Sequence, residues 1–101
     1  MSVDISKGVV AIHFWSPTCG PCKVIKPAIE VMKEDYDTVQ WVTINTHQDT
    51  QGVAARFGVS VVPTIVFLRD GVEVGRHSGS TMSIYYQLIR RALSSGSSGT
   101  G

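Results

Sequence analysis

An α/β domain is what this chain predicts, on three observations. A nearly continuous apolar run lies close to the start, an amphipathic helical stripe follows it directly, and two later strand-like runs are joined by a tight Asp-Gly turn. The first run, Gly8-Val-Val-Ala-Ile-His-Phe-Trp15, is rich in β-branched and aromatic residues, the mark of a strand covered on both faces. His13 is the odd residue in it. After Ser16-Pro17-Thr18, the segment Gly20 to Tyr36 places Cys22, Ile25, Ile29, Met32 and Tyr36 on one helical face, with Val24, Ala28 and Val31 widening the stripe. Pro27 inside this helix removes one backbone donor, so a bend is expected there.

Val39 to Asn45 reads as the second strand, and Asp49 to Phe57 as a short helix stopped by Gly58. Thr64 to Leu68 is the third strand, and Arg69-Asp70-Gly71 turns the chain into Val72 to His77, its antiparallel partner. Ser80 or Thr81 then caps a last helix whose buried face is Met82, Tyr85, Ile89 and Leu93, flanked by Ile84, Leu88 and Ala92. Arg90 and Arg91 sit near its C-terminus, where the helix dipole favours cations. The order is β-α-β-α-β-β-α. Residues 94–101 are only Ser, Gly and Thr, which marks a flexible tail or linker behind a domain of residues 1–93.

At 101 residues and 43% hydrophobic content the chain has enough apolar material for one core and no room for two. Nine Lys and Arg against eight Asp and Glu are scattered, so no basic patch argues for nucleic acid. The run Val61 to Leu68, interrupted by Pro63 and Thr64, is far short of the roughly 20 residues of a membrane span. The opening Met1-Ser2-Val3-Asp4 lacks the basic-then-apolar layout of a secretory leader, and two cysteines alone are no secreted disulfide framework. A cytoplasmic protein is expected.

Cys19 and Cys22 carry the chemistry. Cys19 falls at the start of the long helix, where unpaired N–H groups and the dipole favour a thiolate, the form that attacks disulfides. Cys22 is one turn further in on the apolar face, so it is expected to be less exposed and harder to ionise. That asymmetry makes Cys19 the nucleophile and Cys22 the resolving thiol, with Gly20 and Pro21 keeping the loop between them tight. A zinc site would need two more ligands, and His13, His47 and His77 have no zinc-finger spacing, so no metal is expected.

Phe14-Trp15, Cys19-Gly20-Pro21-Cys22-Lys23, Pro27, Phe57-Gly58-Val59, Val62-Pro63-Thr64, Asp70-Gly71 and Gly79 together resemble the thioredoxin family in order and approximate spacing, from about Val9 to Leu93. The resemblance implies a thioredoxin fold, a mixed sheet flanked by helices, and protein-disulfide reduction through a mixed disulfide. It implies that Pro63 is cis against the cysteines, that the backbone of Val62 pairs with an extended substrate segment, and that Thr64 and Gly79 flank the same groove. Trp15, Thr18, Gly20 and Pro21 complete that docking face. No bound cofactor is implied. Electrons would come from NADPH through thioredoxin reductase, and the partners are disulfide-containing client proteins. A disulfide oxidase or isomerase, and a non-catalytic binding subunit of a larger complex, are the rival readings.

The chain departs from the family pattern at three places. His13 stands where the family commonly has a buried Asp that assists proton transfer at the second cysteine, and Thr43 stands where a Lys often accompanies it. Two readings of His13 stay open: a proton acceptor for Cys22 titrating near pH 6.5, or a neutral core histidine satisfied by one hydrogen bond. Thr18 replaces the family's usual Trp before the Cys-Gly-Pro-Cys run and removes a flat aromatic surface. Only Met1 to Lys7 precede the first clear strand, so the family's extra strand and helix are shortened or missing, with Val3-Asp4-Ile5 as what survives of the strand. Without them Val39 to Asn45 becomes a sheet edge, Trp41 is more exposed, and a monomer has an edge open to pairing by another chain.

Overall fold

A computed structural model describes residues 5–95. The first apolar run forms β1 (Val9–Trp15), which pairs in parallel with β2 (Gln40–Asn45) and antiparallel with β3 (Thr64–Arg69); β4 (Val72–Ser78) pairs antiparallel with β3. The sheet is mixed, with order β2-β1-β3-β4. β1 is central and buried on both faces, as its unbroken apolar run requires. β2 is an edge among the described residues, and Trp41 on it is half-buried, its indole Nε1 donating to the Tyr36 carbonyl at 3.3 Å. The strand expected at Val3-Asp4-Ile5 lies outside the described residues except for Ile5, which is in a turn.

Two cores follow from the alternation of β1. Val9 and Ala11 join Ile65 and Phe67 under the long helix α1 (Gly20–Asp35) and the last helix α3 (Met82–Ser95), which contribute Ile25, Ile29, Met32, Tyr85, Ile89 and Ala92. Val10, Ile12 and Phe14 face the other way with Val66 and Leu68, covered by Val42, Ile44, Phe57 and their neighbours. That cover is enough to leave Val10 and Phe14 with no exposed surface, although the segment supplying it contains only the one-turn helix α2 (Val53–Arg56) and a 3₁₀ turn at Thr46–Gln48. By the same alternation His13 belongs to the α1 side of the sheet.

Several expectations change. α1 runs 16 residues through Pro27, but Val24 is 74% and Val31 51% exposed, so the stripe is narrower than the sequence suggests. A helix lying on a sheet buries one stripe only, and Cys22, Ile25, Ile29 and Met32 already fill it. The helix expected over Asp49 to Phe57 is cut down because Gly52 takes a left-handed φ of 65°. Gly52 is its N-cap, and Asp49, four residues ahead of the helix, satisfies the first free donors, its two carboxylate oxygens accepting from the Val53 and Ala54 N–H groups at 2.9 and 2.8 Å. Asp49→Ala is therefore expected to lower stability by about 1–2 kcal/mol in urea unfolding, whereas Asp49→Asn keeps much of it.

The last helix also runs further than expected. Ser94 and Ser95, expected in the tail, belong to α3, and residues 96–101 lie outside the described residues. The longer helix leaves Arg90 and Arg91 a turn short of its end. The cation there is Arg69 from β3, whose Nη1 donates to the Ala92 and Leu93 carbonyls at 3.3 and 3.2 Å. At the hairpin, Asp70 (φ 51°) and Gly71 (φ 84°) form the two-residue turn, and Asp70 Oδ1 accepts from the Gly8 N–H at 2.8 Å, tying the start of β1 to the turn.

Candidate functional site

The site is built where β1 ends and α1 begins. Cys19 is the N-cap of α1, with an extended backbone, and its Sγ accepts the Cys22 N–H at 3.1 Å. One of the orphan donors of the helix terminus is thus aimed at sulfur, an arrangement that stabilises negative charge on Cys19. Cys19 and Cys22 are joined as a disulfide with Cα atoms 5.3 Å apart. Cys19 is 8% exposed and Cys22 4%, the order expected from helical spacing. Gly20 and Pro21 are exposed between them, and Cys19 N–H donates to the Ser16 carbonyl at 3.2 Å, closing the loop out of β1.

A second group of predicted residues is brought together by backbone and hydroxyl contacts. The Val62–Pro63 bond is cis. The Pro63 carbonyl accepts from the Gly79 N–H at 3.0 Å, and Thr64 Oγ1 donates to the Val61 carbonyl at 2.8 Å while lying 2.7 Å from Ser78 Oγ. Tyr85 O–H donates to the Gly79 carbonyl at 2.5 Å, and His77 packs edge-on against the Tyr85 ring. Burial pushes the Tyr85 hydroxyl up to about 12, so it stays a donor at any ordinary pH. Loops before β3 and after β4 are thereby fixed to each other, with Gly79 at a φ of 126° that an L side chain rarely adopts. Helical spacing alone marks Tyr85 as a core residue. Its tie to Gly79 has no local signal, since the loop comes into reach only when α3 docks.

Thr18 is exposed beside the cysteines, 3.4 Å from Ser16 Oγ and 3.5 Å from His47 Nε2. His47 sits in the 3₁₀ turn, which is held against the same loop by Thr46 Oγ1 donating to the Trp15 carbonyl at 3.3 Å. This neighbourhood has no local sequence signal, because it joins segments that are 29 and 31 residues apart.

His13 shares a cavity with Cys22. A cavity of about 350 Å³ between β1, β2 and α1 is lined by His13, Trp15, Cys22, Ile29 and Thr43, with Lys23, Lys26, Glu30 and Lys33 also on its wall. His13 is 6% exposed, and its Nε2 has no hydrogen-bond partner. Burial, reinforced by the positive charge of Lys33 and opposed by Glu30, lowers its pKa to about 4. An imidazole titrating near pH 6.5 is thus not what the fold contains; His13 is neutral at pH 7. The charged residues were legible as a pattern, since Lys23, Lys26, Glu30 and Lys33 recur at spacings of three and four along one helix. The wall they form appears only once β2 lies beside α1. Among the described residues no group of three or more His, Cys, Asp or Glu is placed to hold a metal.

A family model described as "Thioredoxin" matches residues 2–90. The chain is 39% identical over 74 residues to a thioredoxin of Bacillus subtilis, an alignment covering 72% of this chain and 70% of that one. The X-ray structure of Fasciola hepatica thioredoxin superposes with a TM-score of 0.81 at 29% identity, covering 88% of this chain and 85% of that one. A thioredoxin f2 solved in complex with ferredoxin:thioredoxin reductase superposes with a TM-score of 0.79 at 27% identity, covering 87% and 80%.

Proposed function

The chain belongs to the thioredoxin family and is a thioredoxin-type disulfide reductase, and from that premise we propose that Cys19 is its attacking thiol and Cys22 its resolving thiol. The observation that carries these roles is the N-cap geometry: Cys19 Sγ receives the helix N–H, and Cys22 does not share that position. In the dithiol form the Cys19 thiolate attacks one sulfur of a client disulfide. The client's S–S bond breaks, its other sulfur leaves as a thiolate, and a mixed disulfide forms on Cys19. Cys22 then loses its proton and attacks Cys19 Sγ, which releases the second client sulfur and leaves the Cys19–Cys22 disulfide. Two electrons pass to the client. The pair of cysteines suffices for this exchange without a bound cofactor.

The groove for the client is formed by Val62, cis-Pro63, Thr64 and Gly79 together with Trp15, Thr18, Gly20 and Pro21. The half-buried Val62 and the loop-to-loop bond from Gly79 to Pro63 support this reading, since a rigid groove lowers the ordering cost of binding. His13 lines the same cavity as Cys22 and takes its proton during resolution. Because its conjugate acid is held near 4, against about 8.5 for a free thiol, the proton does not rest on the imidazole but passes on to the departing client sulfur, which leaves as a thiol. The protein works as a monomer in the cytoplasm, on disulfide-containing client proteins. A reductase returns it to the dithiol form, with NADPH as the electron source.

Dithiothreitol-driven reduction of insulin disulfides tests the activity and the role of Cys19 together. The intact protein is expected to accelerate it and Cys19→Ser to do nothing beyond the uncatalysed rate; an active Cys19→Ser variant would overturn the assignment. Replacing dithiothreitol with NADPH and a thioredoxin reductase, or with reduced ferredoxin and its reductase, identifies the electron donor.

A further inference from the structure

The chain crosses from β4 to α3 in three residues, Gly79-Ser80-Thr81. Ser80 and Thr81 are exposed, and Gly79, at a φ of 126°, is the residue type with the most freedom to leave its conformation. A bond on each side of Gly79 holds it in place. Its N–H donates to the Pro63 carbonyl at 3.0 Å, and its carbonyl accepts from the Tyr85 O–H at 2.5 Å. Tyr85 stands one turn into α3 with no exposed surface, sharing the core with Ile65, Phe67 and Ile89 and meeting His77 edge-on. A ring fixed by close packing presents its hydroxyl at one point. The tie therefore runs from the core, through Gly79, to the carbonyl of cis-Pro63.

We propose that Tyr85 is a positioning residue for client binding: through Gly79 it holds the lip of the groove against cis-Pro63 in the form on which a client segment docks. The inference rests on the reading of Val62, Pro63, Thr64 and Gly79 as the client groove. Without the hydroxyl, Gly79 keeps its bond to Pro63 but loses the one to α3, and the glycine is released to other conformations. A client then meets only a fraction of molecules with the lip in place, and its apparent affinity falls by that fraction. The cysteines lie outside this chain of bonds. Cys19 is held as the N-cap of α1 and by the Ser16 carbonyl, so the exchange chemistry itself does not depend on Tyr85. A small disulfide, which needs sulfur and no groove, is accordingly indifferent to the phenol.

The test is Tyr85→Phe, which keeps the ring in the core and removes only the hydroxyl. Insulin reduction is followed at varied insulin concentration, and the dithiol protein is reacted separately with hydroxyethyl disulfide. The KM for insulin is expected to rise about fivefold, the size of one hydrogen bond worth ~1 kcal/mol, while kcat and the rate with hydroxyethyl disulfide hold. Hydrogen exchange of the Gly79 amide is expected to quicken while that of Phe67 in β3 does not. Unchanged exchange with an unchanged insulin KM, or an equal loss of rate with both disulfides, would overturn the proposal. Faster exchange at Gly79 with an unchanged insulin KM would place this loop outside the client groove, overturning the groove reading and the proposal together. A wild-type protein inactive on insulin would instead overturn the reductase reading on which both stand.

Discussion

Cys22→Ser is expected to convert a turning-over reductase into a trap. Cys19 keeps its place at the N-cap of α1 and still attacks a client disulfide, but the serine hydroxyl at position 22 does not displace the client from sulfur. Well-oriented intramolecular groups act with effective molarities on the order of 10⁵ M or more, so millimolar external thiol is a poor substitute for the missing partner. Catalysed insulin reduction should fall to the uncatalysed rate. Covalent adducts with a disulfide-bonded client should accumulate, visible as a mass increase that dithiothreitol removes slowly. The reversed variant, Cys19→Ser, should accumulate no client adduct because Cys22 is deeper, 4% exposed against 8%. Equal trapping by both single variants would reverse or abolish the proposed roles.

Acid is expected to destabilise this fold through His13. In the folded protein the imidazole titrates at about 4, against 6.5 for the free side chain, because burial and Lys33 disfavour its charge. Between these values the unfolded chain binds a proton that the folded chain refuses. Stability contributed by the neutral buried ring is therefore complete above about pH 6.5 and is lost progressively down to about pH 4. The shift corresponds to about 3 kcal/mol, a large part of the 5–15 kcal/mol that holds a typical domain. Urea unfolding at pH 7, 5 and 4 is the measurement, with His13→Leu as the reference that removes this titration and leaves every carboxylate in place. The wild-type protein should lose about 3 kcal/mol more than the variant over that range. Parallel losses would show that His13 is not held neutral by the fold.

The two expectations concern Cys22 on α1 and His13 on β1, and they differ in how visible they were. Cys19 and Cys22 were legible because their roles follow from position on one helix: the first at its start, the second one turn in on the buried face. The strands were legible for the same local reason. An unbroken apolar β1, an Asp-Gly turn and a β-branched β3 each carry their conformation in a few consecutive residues. The family resemblance added a cis Pro63 and a Gly79 beside it; the Val62–Pro63 bond is cis, and the Pro63 carbonyl accepts from the Gly79 N–H.

What the sequence determined by itself is the order of elements, the mixed α/β class and the unequal cysteines, because periodicity, turn chemistry and helix-end electrostatics are short-range. Only the tertiary structure decided which apolar residues of α1 stay in solvent, that Arg69 rather than Arg90 or Arg91 meets the carbonyls at the end of α3, and that Tyr85 holds the Gly79 loop. It also decided the charge of His13. That last property depends on how much water the fold removes from one imidazole and which cations it brings near, and both are set by β2, β1 and α1 meeting around a shared cavity.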